Sequence, residues 1–223
     1  MRAELSIVIP TLDAAEGLGR ALPALAEGLQ EGLIRELIIS DGGSKDATLE
    51  IADEAGAVVV TGEASRGGQL GRGAAAAGGS WLLFLHADTV LPSGWATMVR
   101  AQMEDGRPAF FGLRYDAAGF APAWVASWAN LRSWVFHLPY GDQGLLISRR
   151  EYDAVGGYPD IALMEDVAIV RVLGKRMRRL PGKVTTSAAR YRQAGWFSRG
   201  ARNLVLLMRY LMGARPEDLA RRY

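Results

Sequence analysis

Apolar runs with the period of a strand alternate with stretches of helical period from Leu5 to Asp88, the pattern of βαβ units and a mostly parallel sheet. LSIVIP (Leu5–Pro10) reads as the first strand, stopped by Pro10 and Thr11. Leu18, Ala21, Leu22, Leu25 and Leu29 then share one helical face, and ELIISD runs as a second strand into Asp41. Within GGSKDAT, Ser44 or Asp46 can cap a helix carrying Leu49, Ile51 and Ala52, and Val58 to Val60 supply a third strand. A helix over roughly 68–77 leads into WLLFL, a fourth strand that stops at His86-Ala87-Asp88. Sheets of this kind carry functional groups at the carboxyl ends of their strands. Those ends hold Pro10, Asp41 and Asp88 here.

Past Asp88 the alternation breaks. Ser93 can cap a helix reaching about Met103, FFGLRY reads as a strand, and Trp124, Trp128, Trp134 and Phe136 punctuate a helical stretch. GLLIS (Gly144–Ser148) is a further strand, and a helix opens near Glu165 in ALMEDVAIVRVLGK. No linker or internal repeat divides the chain, and 223 residues at 49% hydrophobic content suffice for one well-cored domain. The expectation is a single α/β domain over 1–223, with a nucleotide-binding half (1–90), an acceptor-side half (91–190) and basic C-terminal helices (191–223).

Composition narrows the chemistry. The absence of cysteine excludes disulfide scaffolds, thiolate metal sites and cysteine nucleophiles, and fits a cytoplasmic setting. The first apolar run is too short for a secretory signal, and no stretch is long and apolar enough for a membrane span. Net charge is only +2, yet residues 171–223 hold 14 of the 26 Lys/Arg and 2 of the 24 Asp/Glu. A basic segment beside an acidic body suits nucleic acid, an anionic membrane or a phosphate-bearing ligand. Nucleic acid ranks last, because no helix-turn-helix or aromatic RNA-binding signature accompanies the charge. In WFSRGARNLVLLMRYLMGAR, apolar Leu204, Leu207, Met208 and Leu211 run beside Arg202, Arg209 and Arg215. Two readings stay open: an interfacial helix on the inner face of a membrane, or a core or dimer helix with a solvated basic face.

Common nucleotide folds do not fit. PTLDAAEGLG stands where a dinucleotide fold needs GxGxxG, and GxxxxGK[ST] is absent. Four stations do fit in order: IVIPTLD, DGGSKDAT, FLHADT and MED at a helix start. Together they resemble the family 2 glycosyltransferases of the GT-A fold, and TSAARYRQAGW with the final helix is similar to a small bacterial branch that includes carotenoid-type glycosyltransferases.

The resemblance implies a nucleotide-diphosphate sugar donor of UDP or GDP type, a Mg2+ or Mn2+ cofactor and an inverting transfer to a hydroxyl, carboxyl or phosphate acceptor, which a membrane location would make lipid-linked. It puts Pro10, Thr11 and Leu12 against the base, with Leu12 where Tyr is commoner. Asp41 and Gly42 fall at the family's base-binding acid, and Ala87 in its DxD motif. Asp88 falls on the metal-binding acid, and His86 replaces the first acid of that motif. Asp166 is implied as the general base, with Glu165 as its substitute or an acceptor-orienting group; alone, the pair reads as acids charging a first helical turn. Arg66 either reaches the nucleotide or diphosphate or is an exposed loop arginine. Asp142 and Gln143 in YGDQG either contact sugar or acceptor or form a turn. The departures at His86 and Leu12 keep open a non-catalytic nucleotide-sugar-binding protein or partner subunit.

Overall fold

The computed structural model describes residues 3–221. Seven strands join in one sheet: β1 (Leu5–Thr11), β2 (Ile34–Asp41), β3 (Val58–Thr61), β4 (Trp81–Phe84), β5 (Ala109–Tyr115), β6 (Leu145–Ser148) and β7 (Arg178–Thr186). Their order is β3-β2-β1-β4-β6-β5-β7. All neighbours pair in parallel except β6, which runs antiparallel to both β4 and β5. The fold is thus α/β with a mostly parallel central sheet, and strands from both halves of the chain share it.

Helices flank the sheet: α1 (Ala15–Ala21), α2 (Ala26–Gln30), α3 (Thr48–Glu54), α4 (Arg66–Ala76), α5 (Trp95–Asp105), α6 (Phe120–Phe136), α7 (Arg149–Ala154), α8 (Glu165–Leu173), α9 (Ala189–Ala194), α10 (Trp196–Leu211) and α11 (Pro216–Ala220). β1 and β4 are buried on both faces, which is why they read as unbroken apolar runs rather than alternating ones. Ile7 and Ile9 join one core layer with Leu83, Trp95 and Phe111, while Val8 joins the opposite layer with Ile38, Leu82 and Phe84. A third cluster of Met164, Val167, Leu206, Leu207 and Leu219 ties α8 to α10 and α11.

One local expectation is corrected. Ser93 does not cap α5, whose first residue follows Gly94 in a left-handed conformation. Glu27 takes that role instead, accepting hydrogen bonds from the N–H of Gly94 at 2.9 Å and of Ala96 at 2.8 Å. β7 has no counterpart in the hydrophobic pattern because Pro181 and Gly182 interrupt it. It is an edge strand, where proline's missing N–H is tolerated, and its register against β5 shifts between Phe110 and Gly112.

Candidate functional site

The carboxyl ends of β1 and β2 lie level, Thr11 opposite Asp41, and β4 ends beside β1 with Phe84 opposite Val8. Their following loops, with the start of α8 and parts of α6, α9 and α10, enclose a cleft of about 620 Å³. Pro10, Thr11, Leu12, Arg66, His86, Ala87, Asp88, Asp142, Glu165 and Asp166 all line it. Residues distant in sequence therefore meet at one end of the sheet, as parallel topology requires.

Asp41, Gly42 and Gln143 do not line the cleft, and two of them have other work. Asp41 is fully buried, and its carboxylate accepts from Thr11 Oγ1 (2.9 Å), Gly43 N (2.7 Å), Ser44 N (2.8 Å) and Ser44 Oγ (2.5 Å). Burial pushes this carboxyl up, but the Ser44, Gly43 and Thr11 hydrogen bonds outweigh it and hold the carboxyl below its ordinary value. With two donors on each oxygen, Asp41 organises the β2 loop. Gln143 ends a 3-10 turn (Gly141–Gln143) that points it inward; its Oε1 accepts from Ser133 Oγ at 2.5 Å and its Nε2 donates to Phe111 O at 3.0 Å. Of the two readings left open for Gln143, a sugar or acceptor contact and a turn, the structure shows the turn, with the side chain fully buried.

A backbone irregularity precedes Glu165 and Asp166. Met164 adopts φ 71° immediately before α8, a costly conformation for a non-glycine residue, and the turn brings the helix N-terminus to the cleft. Asp166 Oδ2 accepts from Gly141 N at 2.8 Å, and Oδ1 accepts from Val167 N at 2.7 Å. Each oxygen keeps an acceptor position for a ligand proton. Glu165 is buried; its burial and the neighbouring Asp166 charge push its carboxyl up, with Arg66 opposing. Arg66, the first residue of α4, is exposed at the cleft wall, 4.0 Å from Glu165 Oε1.

His86 and Asp88 follow β4 and are half-buried. Burial, then the charges of Arg66 and Arg190, hold the His86 imidazole well below its ordinary value, so the ring is neutral. Gly141 packs against His86 so closely that a Cβ there would collide with Nε2. Asp142 is raised to about 6 by burial, the Arg132 charge opposing and Asp166 and Asp88 adding to it. Its Oδ1 is buried without a hydrogen-bond partner. Among the described residues, no group of three or more His, Cys, Asp or Glu converges as a metal cage.

Sequence reasoning missed the cations and phenols that complete the wall: Arg20, Tyr115, Arg132, Tyr140, Arg190 and Tyr191. Arg132 is buried on α6, with its guanidinium 3.4 Å over the Tyr140 ring and Nε donating to Leu138 O at 3.0 Å. No periodic signal distinguishes it within a tryptophan-rich helix.

A mostly parallel sheet with one antiparallel strand and a cleft of carboxylates at the strand ends is the architecture of the GT-A glycosyltransferases. The model of glycosyl transferase family 2 matches residues 6–167, and the chain belongs to that family. Glucosyl-3-phosphoglycerate synthase of Mycolicibacterium paratuberculosis is 34% identical over 97 residues, which are 40% of this chain and 29% of that protein's length. S. aureus TarS 1-349 superposes with a TM-score of 0.67 at 14% identity, over 92% of this chain and 64% of that one. Its complex with UDP gives 0.65 at 13% identity, over 82% and 60%. Mycobacterium tuberculosis glucosyl-3-phosphoglycerate synthase, solved with Mn2+, UDP and glucosyl-3-phosphoglycerate, gives 0.57 at 18% identity, over 82% and 71%. These likenesses establish the fold.

Proposed function

We propose that the chain is an inverting glycosyltransferase that moves a sugar from a UDP or GDP sugar to a hydroxyl, carboxyl or phosphate oxygen. The observation that carries this reading is the meeting of Asp88, Asp142, Glu165 and Asp166 in one cleft with Pro10, Thr11 and Leu12. UDP in two of the structural neighbours makes uridine the first base to test.

Asp88 would hold a divalent cation, with neutral His86 beside it as a ligand better matched to Mn2+ than to Mg2+. The residues fit such an ion: hard cations are often held by one or two carboxylates plus substrate phosphates, and Asp142 Oδ1 is an unpartnered buried oxygen in a pocket it shares with Asp88. A bound divalent ion supplies neutralisation of the charge that grows on the leaving diphosphate. Arg66 adds positive charge on the same wall. Pro10 to Leu12 flank the base, while Asp41 shapes the loop behind them.

Asp166 takes the proton from the acceptor oxygen as that oxygen bonds to the anomeric carbon. The bond from that carbon to the diphosphate oxygen breaks, and the nucleoside diphosphate leaves with the electron pair. The Gly141 hydrogen bond fixes the Asp166 carboxylate, and aiming a base in this way is what a single displacement needs.

Thermal shift with UDP and GDP, with and without Mn2+, tests the donor half. Saturating nucleotide at about one hundred times its Kd should raise Tm by roughly 5–10 °C for a chain of this size, and Asp88→Ala should remove the Mn2+-dependent part. Donor-sugar turnover tests the base: Asp166→Asn should lose roughly a hundred- to ten-thousand-fold in kcat while keeping the nucleotide-induced shift. Nucleotide binding with no turnover in the unaltered protein across acceptor classes would overturn the transferase assignment.

A further inference from the structure

The exposed large apolar side chains are not scattered. Among the described residues, seven lie on α6 and six on α10 through Met212, against six over all the rest. Concentration of this kind marks a contact surface, whereas single exposed apolar residues are ordinary. On α6, Phe120, Trp124, Trp128, Leu131 and Val135 follow helical spacing on one side, opposite the buried Val125, Ala126, Ala129 and Ser133. On α10, Phe197, Leu204, Met208 and Leu211 form the matching stripe, with buried Leu206 on the opposite face and buried Leu207 along its edge. The two helices pack against each other. Both also wall the cleft, through Trp128 and Arg132 from α6 and Arg199 and Leu204 from α10.

Charge on this surface is predominantly positive. Residues 117–141 and 187–216 contain no Asp or Glu, and Arg202 and Arg215 are exposed and Arg209 half-exposed, while Arg192 is paired with Asp116. Indoles beside arginines, with apolar side chains between, suit the boundary between anionic headgroups and acyl chains, where tryptophan is favoured and arginine stems lie along apolar surface. No helix among the described residues is long and apolar enough to cross a membrane, so such contact lies in the plane of the interface.

We propose that α6 and α10 form a platform that docks the protein on an anionic bilayer, with the cleft mouth at the membrane surface. Docking does not depend on the transfer reaction. On the function proposed above, it delivers a lipid-borne acceptor to Asp166.

The experiment is sedimentation of the full chain with vesicles of phosphatidylcholine alone and of phosphatidylcholine mixed with phosphatidylglycerol, at low and high salt. The protein should pellet with the anionic vesicles and partition less at high salt, where headgroup attraction is screened. Trp124→Ala/Trp134→Ala should weaken partition roughly tenfold through lost interfacial burial, and Arg202→Ala/Arg209→Ala by about fivefold for each charge removed. The arginine pair keeps the test intact if the tryptophan pair fails to fold. None of these four residues lines the cleft, so UDP titration should be unchanged in both variants, and its outcome separates failure of docking from failure of donor binding. Absence from anionic vesicles at low salt, or partition unaltered by both pairs, would overturn the proposal. A stable dimer in light scattering that Trp124→Ala/Trp134→Ala converts to monomer would overturn it as well, assigning the face to a second copy.

Discussion

Asp142 illustrates how one side chain can be held against its solution preference. Its carboxyl is raised to about 6 from an ordinary 3.8 by burial, and by Asp166 and Asp88, against the pull of Arg132. The folded protein therefore keeps a proton that the unfolded chain has released between those two values. Stability is full below the lower one and falls as pH rises towards the upper one, by up to about 3 kcal/mol. In metal-free protein, Asp142→Asn should remove the Asp142 share of the decline, leaving that of Glu165, and be more stable than the parent at pH 7; urea melts at pH 4, 5, 6 and 7 measure it. An unchanged decline in the variant would show that Asp142 ionises freely in the folded protein. That Asp142 belongs to the cleft was legible from a short polar turn before a strand, but Gln143 in the same turn was not separable from it. Adjacent residues of a 3-10 turn point in different directions, and only packing against Ser133 and Phe111 decides which one is buried. Arg132 was illegible for a similar reason, because nothing local distinguishes an inward-facing cation in an amphipathic helix from an outward one.

Elements whose order comes from their own sequence were the legible ones. β1 and β4 are largely apolar runs and β2 carries the apolar stretch Leu37–Ile39, each ended by a polar loop, and α8 starts at the acidic pair expected to open it. β7 and the start of α5 depend on distant partners instead. β7 becomes a strand through pairing with β5, and α5 is capped by a glutamate far upstream, while the Trp95 indole N–H donates to Ala24 O at 2.8 Å. Glu27 satisfies two N–H groups at the α5 N-terminus, which intrahelical bonding cannot do. Glu27→Ala should cost about 1–2 kcal/mol, the range for losing a side-chain cap, whereas Ser93→Ala should fall within about 0.5 kcal/mol of the parent, as surface changes do. Guanidinium denaturation of the two variants checks the assignment, and equal effects would contradict it.

Across the whole molecule, the cleft and the apolar platform are not separate devices. Met164 and Val167, which bracket Glu165 and Asp166, pack with Leu206 and Leu207 of α10 and Leu219 of α11. The helix that presents the proposed base therefore rests on the inner side of the helix whose outer side is apolar and basic. Close-packed side chains transmit displacement because interiors have few voids to absorb it. Leu207→Ala removes a buried side chain from this joint and should cost about 2–5 kcal/mol in urea denaturation. Its effect on the reaction should be selective: loosening the start of α8 misplaces Asp166, while the nucleotide side, carried by β1, β2 and β4 in the other core layers, is untouched. The expected outcome, measured at a temperature where the variant stays folded, is a fall in kcat with nucleotide affinity retained. A loss of nucleotide affinity in proportion to kcat would mean that the cleft moves as one piece, and that the joint carries no separate influence on the base.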